Sequence, residues 1–202
     1  MSGAADTLVW YAAFGSNLSS ARLACYVRGG VPRGTAREYE GCRDPTPPRE
    51  HRAITLPGRV RFAGESSVWG GGTAFYAPGT HGAVHARAYL VRLEQLIDIV
   101  AQETRHPVGL PLVLAETGPT FHGLSQVYDV VLDLGTLDGH RLLTLSSSRD
   151  HRVNPPSEAY VRTFLVGLAE GFDLDATSRI SYLAQLDGMS PAWTEDRLHG
   201  LL

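Results

Sequence analysis

The sequence has little cysteine, no long apolar run and no cluster of basic residues. Its two cysteines, Cys25 and Cys42, lack CxxC spacing, so neither a disulfide framework nor a thiolate zinc site is expected. No stretch approaches the roughly 18 consecutive apolar residues of a membrane span, and the N-terminus lacks a basic region followed by a long apolar core. These absences predict a cytoplasmic protein. The sequence has 18 basic and 21 acidic residues and no run of basic residues, so neither nucleic acid nor a membrane is an expected partner.

The rest of the composition is that of an ordinary globular domain. With 202 residues, of which 43% are hydrophobic and 19% charged, the chain can bury a good core without needing a second domain. Neither an internal repeat nor a linker divides it. We therefore predict a single domain over residues 1–202.

A short apolar strand runs into a Gly-Ser-Asn turn near the N-terminus. Residues 8–14 have the aromatic, apolar composition of a buried strand, and Gly15 permits backbone angles that other residues avoid. Residues at helical spacing follow, namely Leu18, Ala21 and Cys25. With Ser16 or Asn17 as its cap, a helix starting there would direct unpaired N–H groups at a small carboxylate or carbonyl. A plain connection without a ligand is the alternative.

Residues 28–58 form a long segment that is rich in Gly, Pro and Arg and has little periodicity. Its length is typical of an ordered lid, binding loop or oligomer contact rather than of disorder, so a homo-oligomer is left open. Five arginines lie in it: Arg33, Arg37, Arg43, Arg49 and Arg52. They either bind an anionic substrate group or pair with acidic residues of the same segment on a solvated surface.

The middle of the chain predicts strands over residues 59–62, 73–76, 84–91, 127–134 and 141–145. A hairpin loop over 135–139 joins the last two. Three consecutive glycines at 70–72 mark a bulge, a bend or a close backbone approach, and we expect the bend of a barrel. His81 and His85 have no evident third partner, so a metal site is not expected there.

A change of period at Leu93 predicts an amphipathic helix. Its apolar stripe comprises Leu93, Leu96, Ile97 and Val100. The opposite, wet face carries Glu94, Gln95 and Asp98. At about 100° per residue, Glu103 returns close to the apolar side, where burial disfavours the charged form of a carboxylate and makes it a candidate general acid or base. A helix-end glutamate that reaches water is the equal alternative.

Two predicted helices close the chain. The first opens at Pro155-Pro156-Ser157 and stops at Gly171, and the second is capped by Asp173 or Asp175 and ends at Gly188. The loop 146–154 holds Ser, His and Asp residues but no GxSxG, so a Ser-His-Asp hydrolase is not expected. Because strands outnumber the crossovers that a parallel sheet needs, we predict an α+β fold, with a small mixed or antiparallel β-barrel flanked by helices.

Four motifs occur in a particular order along nearly the whole chain outside residues 28–58. They are Phe14-Gly15-Ser16-Asn17-Leu18 after Tyr11, then residues 68–74, then residues 101–103, and then residues 154–160 with Tyr160. In this order they resemble the gamma-glutamyl cyclotransferase-like superfamily. The matching family features are a Tyr-Gly-Ser-Asn-Leu turn, a Trp- and Gly-rich strand, the segment of the catalytic glutamate, and a Pro-Pro-Ser stretch with a site tyrosine.

The resemblance implies a reaction that needs no metal or organic cofactor. In such a lyase-type or transferase-type reaction, the α-amine of a γ-glutamyl unit attacks its own γ-carbonyl and releases 5-oxoproline with an amine or amino acid. The resemblance implies Glu103 as the catalytic acid and base, with a small γ-glutamyl amide as the substrate. It also implies a set of substrate-binding residues: Tyr11, Ala12, Ala13, Phe14, Gly15, Ser16, Asn17, Leu18 and Tyr160.

One departure bears on the substrate. Phe14 stands where the family usually has tyrosine, so the hydroxyl and its hydrogen bond are absent. A dipeptide, glutathione, a γ-glutamyl amine and a γ-glutamylated natural-product intermediate all stay open as substrates. Two rival functions also remain, namely a non-catalytic small-molecule-binding module and an amidohydrolase or acyltransferase that uses Glu103 with an external nucleophile.

Overall fold

A six-stranded mixed sheet organises the chain, of which the computed structural model describes residues 7–202. The strands are β1 (Leu8–Ala13), β2 (Glu50–Ala63), β3 (Thr73–Arg92), β4 (Thr120–Phe121), β5 (Val130–Leu137) and β6 (His140–Ser146). They are ordered β2-β3-β1-β6-β5-β4, with β1 parallel to β6 and the other neighbours antiparallel. The α+β class is confirmed, whereas "barrel" is too strong, because this sheet stays open with β2 and β4 at its edges.

The described residues also form five α-helices, which cover both faces of the sheet. They are α1 (Ser20–Arg28), α2 (Leu93–Glu103), α3 (Glu158–Gly171), α4 (Ala176–Ala184) and α5 (Glu195–His199). Since side chains alternate along a strand, Trp10 and Ala12 of β1 pack with α3, α4 and α5, whereas Val9 and Tyr11 pack with α1 and α2. The strand β1 is therefore buried on both faces at the centre of the molecule.

The strands β2 and β3 are longer than the sequence predicted. The strand β2 begins at Glu50, inside the segment 28–58 that has little periodicity. The irregular part of that segment therefore ends near residue 49. The second joins two predicted strands into one, because residues 79–82 bulge out between the pairs Gly58↔Pro78 and Pro57↔Ala83. The bulge carries the exposed His81, and His85 packs against the rings of two other residues, Phe172 and Tyr182.

The glycines at 70–72 lie in a loop before β3 and do not bend a barrel. The close backbone approach, which was the third predicted possibility, is present. A Cβ atom on Gly72 would lie 1.9 Å from the carbonyl oxygen of Asn154. The Gly72 amide donates to Pro155 at 2.8 Å. Glycine is thus required where the loop meets the segment that leads into α3.

The turn after β1 differs from the predicted helix start. Residues Ser16–Leu18 form a 3-10 turn, and α1 begins only at Ser20, with Ser19 rather than Ser16 or Asn17 in the N-cap position. The Ser20 amide donates to the Glu170 carboxylate at 2.8 Å, so the positive end of α1 is already occupied by an anion.

The buried face of α1 is also shifted by one residue from the predicted stripe. Ala21 is exposed and Cys25 is half-buried. The side chains that α1 buries are Arg22, Leu23, Tyr26 and Val27.

The helix α2 begins at Leu93, as predicted, but the face that was expected to be exposed to solvent is covered. Gln95 and Asp98 are 2% and 0% exposed, because the irregular segment before β2 packs on them. Gln95 donates to the carbonyls of Asp44 and Thr46, and Asp98 accepts from the amide and guanidinium of Arg43. Polar side chains of α2 therefore hold a segment that has little regular structure of its own.

The C-terminal half follows the prediction more closely. Ser157 caps α3 by accepting from the Tyr160 amide, and Asp175 caps α4, which ends at Ala184 rather than near Gly188. The hairpin between β5 and β6 turns at Asp138 and Gly139, which both have positive φ. Within residues 7–202, no helix combines the length and apolarity that crossing a membrane requires.

Candidate functional site

Two adjoining cavities lie where the end of β1, the C-terminus of α2 and the start of α3 meet. The inner cavity is lined by Tyr11, Phe14, Gly15, Asn17, Ala74, Glu103, Tyr128, Leu145 and Tyr160. The outer cavity holds about 620 Å³, including space open to solvent, and its wall includes Arg22, Arg37, Tyr39, Trp69, Arg105 and Ser16. Glu103, Tyr128 and Tyr160 line both cavities, so the three side chains stand between them.

Glu103 faces the Gly-Ser-Asn turn across the inner cavity. It is half-buried at the last position of α2. The Asn17 side-chain amide donates to Glu103 Oε1 at 3.4 Å and to the Tyr11 hydroxyl at 3.1 Å. The Asn17 side-chain oxygen is buried and has no partner among the described residues. Asn17 and Glu103 thus line the same small space.

Tyr160 closes the other side of the turn. Its hydroxyl accepts from the Ala74 amide at 3.4 Å and lies next to the Ser16 amide. A Cβ atom on Gly15 would lie 2.8 Å from this hydroxyl, so glycine is needed for the close approach. The Trp69 ring stacks on the Tyr160 ring at 5.4 Å between centroids. The Thr73 side chain is a further hydrogen-bond partner of this hydroxyl, so protein groups hold the hydroxyl at the wall of the cavity.

Four tyrosines around Glu103 remain protonated near neutral pH. Burial is the largest cause that raises the pKa of Tyr11, Tyr26, Tyr128 and Tyr160, and the negative charge of Glu103 acts in the same direction. Their hydroxyls are therefore hydrogen-bond donors rather than bases. Glu103 is the acidic side chain that lines both cavities.

A buried arginine lies behind this group. Arg22 is 4% exposed, and its Nη2 donates to the hydroxyls of Tyr26 and Tyr39 at 2.9 and 2.7 Å. Its Nε and Nη1 atoms have no partner among the described residues. Although burial by itself lowers the pKa of Arg22, the two tyrosines and Glu103 raise it above its ordinary value, so the guanidinium stays charged.

The structure brings most of the predicted site residues together. Tyr11, Phe14, Gly15, Ser16, Asn17, Glu103 and Tyr160 line the cavities. Three others do not line them: Ala12, Ala13 and Leu18, which are 0%, 2% and 0% exposed and pack in the core. Among residues 7–202, no cluster of three or more His, Cys, Asp or Glu side chains is arranged to hold a metal ion.

Sequence reasoning missed Arg22, Tyr26, Tyr39, Trp69 and Tyr128 as site residues. A usable signal existed for Arg22, because it is a charged residue on the buried face of α1 one turn before Tyr26. The same signal, a charge at an apolar helical position, had pointed to Glu103. Tyr39 carried no comparable signal, since it lies in an irregular segment.

Solved structures share this architecture over nearly the whole chain. A gamma-glutamyl cyclotransferase superposes with a TM-score of 0.57 and 15% identity, covering 96% of this chain and 98% of its own. The uncharacterized protein loc79017 from Homo sapiens gives a TM-score of 0.55 and 15% identity, covering 97% and 99%. The chain therefore has the gamma-glutamyl cyclotransferase-like fold that its motifs predicted.

Sequence comparison gives a different kind of relative. Histone deacetylase 5 of Arabidopsis thaliana is 33% identical in an alignment 198 positions long, which covers 87% of this chain and 30% of that protein. The chain thus spans less than a third of the length of the curated relative it matches. No family model matches the chain.

Proposed function

We propose that this chain is a cofactor-independent γ-glutamyl cyclotransferase, which releases 5-oxoproline and a free amine or amino acid from a γ-glutamyl amide. The proposal depends on one observation above all. Asn17 and Glu103, which are 86 positions apart in the chain, meet at 3.4 Å in one cavity. The fold supports the proposal, and the chemistry of the side chains in the cavity is consistent with it.

The reaction forms one C–N bond and breaks another. The α-amine attacks the γ-carbonyl carbon, and the amide bond to the leaving nitrogen then breaks. The attacking nitrogen loses two protons, one before the attack, when the ammonium group becomes an amine, and one after it, when the ring nitrogen keeps a single hydrogen. Glu103 accepts a proton from this nitrogen and returns one to the leaving nitrogen as the old C–N bond breaks, and the second proton passes to the released amine through solvent. The Asn17 amide, which donates to Glu103 Oε1, orients the carboxylate for this transfer.

The oxygen of the γ-carbonyl gains negative charge during the attack. In this proposal Tyr160, which lines both cavities and stays protonated, donates its hydroxyl proton to that oxygen. The inner cavity holds the amine against the carbonyl, which lowers the entropic part of the barrier. In this assignment the donors are side chains rather than the N-terminus of α1, which Glu170 occupies.

The test is a mass-spectrometric assay of 5-oxoproline with γ-glutamyl amino acids, γ-glutamyl amines and glutathione. We expect Glu103→Gln to lower kcat about 100-fold or more, because glutamine keeps the size of the side chain but cannot transfer a proton. Glu94→Gln is the matched control, since it removes the same charge from the first turn of the same helix, outside both cavities.

Other outcomes identify the rival functions. Unchanged turnover in Glu103→Gln removes Glu103 from the mechanism. Release of glutamate in place of 5-oxoproline means that water attacks and that the protein is an amidohydrolase. Binding of γ-glutamyl amides without any product means that the cavity belongs to a binding module.

A further inference from the structure

The wall of the outer cavity carries more positive than negative charge. Three arginines line it, namely Arg22, Arg37 and Arg105, against two carboxylates, Glu65 and Glu103. If the γ-glutamyl unit occupies the inner cavity, the part of the substrate that leaves extends past Glu103 into the outer one. The charge of that wall therefore bears on which leaving groups are accepted.

Arg22 supplies a fixed charge that lacks full compensation. Of its five N–H groups, Nη2 uses two on Tyr26 and Tyr39, which leaves three on Nε and Nη1 without a partner among the described residues. A buried guanidinium with unpaired donors is unfavourable unless an anion or water approaches it. Arg22 lines the outer cavity, so its fixed positive charge acts on a group bound there at short range, although the Nε and Nη1 atoms themselves are buried.

Arg37 is held in place at the wall of the outer cavity. Its guanidinium donates to the Gln102 carbonyl at 2.6 Å and lies 4.5 Å from the centre of the Tyr39 ring. These contacts fix the side chain without neutralising its charge, because a carbonyl and a ring are both uncharged. The cation therefore stays available to a ligand in the cavity.

Arg105 occupies a backbone position that favours glycine. The helix α2 ends in a Schellman motif, in which the amides of Arg105 and His106 donate to the carbonyls of Gln102 and Ala101. Arg105 is the residue in the left-handed conformation, with φ +63°. Glycine would adopt this conformation without strain, so a long cationic side chain here comes at the expense of stability.

The strained residue also lies at the site. Arg105 lines the outer cavity two positions after Glu103, and its guanidinium donates to the Ser67 hydroxyl on the cavity wall. Backbone strain at a site residue points to a role in function rather than in stability. The buried unpaired Arg22 is an independent observation that points to the same kind of ligand.

We propose that Arg105, supported by Arg22 and Arg37, is a specificity-determining residue that binds a carboxylate on the leaving group of the substrate. This inference rests on the proposed function. It means that γ-glutamyl amides with a carboxylate next to the leaving nitrogen are preferred over uncharged γ-glutamyl amines.

A matched pair of substrates isolates the carboxylate. γ-Glutamyl-alanine and γ-glutamyl-ethylamine differ only in the carboxylate of the leaving group. We expect the ratio of their kcat/KM values to favour γ-glutamyl-alanine, and to fall about tenfold in Arg105→Gly, as for the loss of one charge-assisted hydrogen bond. Arg105→Lys should retain much of the ratio, and added salt should reduce the ratio in the wild type.

Thermal unfolding separates this effect from damage to the fold. Arg105→Gly should melt at a higher temperature than the wild type, because it removes the left-handed strain. A substrate ratio that is unchanged in Arg105→Gly overturns the proposal. So does an equal loss of activity on both substrates.

Binding to the inactive Glu103→Gln variant keeps the two proposals distinguishable. Calorimetry with both amides measures the preference without turnover, and Arg105→Gly in this background should remove it. Arg105-dependent binding of γ-glutamyl-alanine without 5-oxoproline release in the wild type would support the carboxylate site and refute the cyclotransferase. Equal binding of the two amides, with normal turnover in the wild type, would refute only the carboxylate site.

Discussion

Gly167 in the middle of α3 lets the helix touch the backbone of the site turn. A Cβ atom there would lie 2.4 Å from Leu18 Cβ and 2.6 Å from the Ser19 nitrogen. Replacing an interior helical glycine by alanine normally stabilises a helix by about 1 kcal/mol. Here we expect overpacking against rigid backbone to cost roughly 3 kcal/mol. The net effect of Gly167→Ala is then a loss of about 2 kcal/mol in the free energy of unfolding.

The same helix offers a matched control. At Gly171 an added Cβ would meet only Arg87 Cδ at 3.8 Å, which is an ordinary contact, so Gly171→Ala should be neutral or stabilising by up to about 1 kcal/mol. Urea denaturation measures both changes. For a chain of this size, Gly167→Ala should lower Tm by about 4 to 8 °C.

The activity of Gly167→Ala provides a second readout. The turn that would shift continues into Asn17, whose side chain contacts Glu103, so turnover under fully folded conditions should also fall. A Gly167→Ala variant as stable as Gly171→Ala, with unchanged turnover, would refute the reasoning, because the helix would then not need its close approach to the turn.

Two further changes test the surroundings of the site. Although burial raises the pKa of Glu170, hydrogen bonds from Ser20 and Ser19 and the contact with Arg87 lower it below its ordinary value of 4.5. A lowered pKa means that the carboxylate stabilises the fold above the unfolded pKa and that this contribution is lost as the pH falls through the folded pKa. Glu170→Gln should therefore cost about 1 kcal/mol at pH 7, discounted for partial exposure, and the difference from the wild type in urea denaturation should shrink below pH 4.5; a constant difference would contradict this. Phe14→Tyr should fold normally, since Phe14 is 6% exposed and lines the inner cavity, and its new hydroxyl should change the relative kcat/KM values on a γ-glutamyl amide panel. An unchanged order of substrates would make the departure at this position incidental.

The sequence predicted the parts of the molecule that local pattern controls. The start of α2 at Leu93, the opening of α3 at Ser157 and the cap of α4 at Asp175, one of two candidates, follow from helical periodicity and capping chemistry. The burial of Gln95 and Asp98 could not be read in this way, because the segment that covers them is distant in sequence and has no periodicity. Polar residues at such positions look solvated until their partners are known.

The same limit applies to the site. Tyr39 was overlooked because it lies in an irregular segment and reaches the site through its contact with Arg22 on α1. The open edge of the sheet was missed because barrel closure depends on pairing between strands that the sequence does not order. Glu103 and Arg22 both place a charge at an apolar helical position, and only Glu103 was recognised from that local signal.

The attachment of the irregular segment before β2 has a consequence for how this protein can change. Gln102 fixes it by accepting from the Gly41 amide, and Asp98 does so through Arg43. Both anchors belong to the helix that carries Glu103, while Arg37 and Tyr39 of the segment form part of the outer wall. Residues 31–36 lie outside these anchors and before Arg37, which donates to the Gln102 carbonyl, so we expect that they can be exchanged or lengthened without moving Glu103. On the proposed function, the selectivity of the outer cavity can then change while the position of Glu103 stays the same.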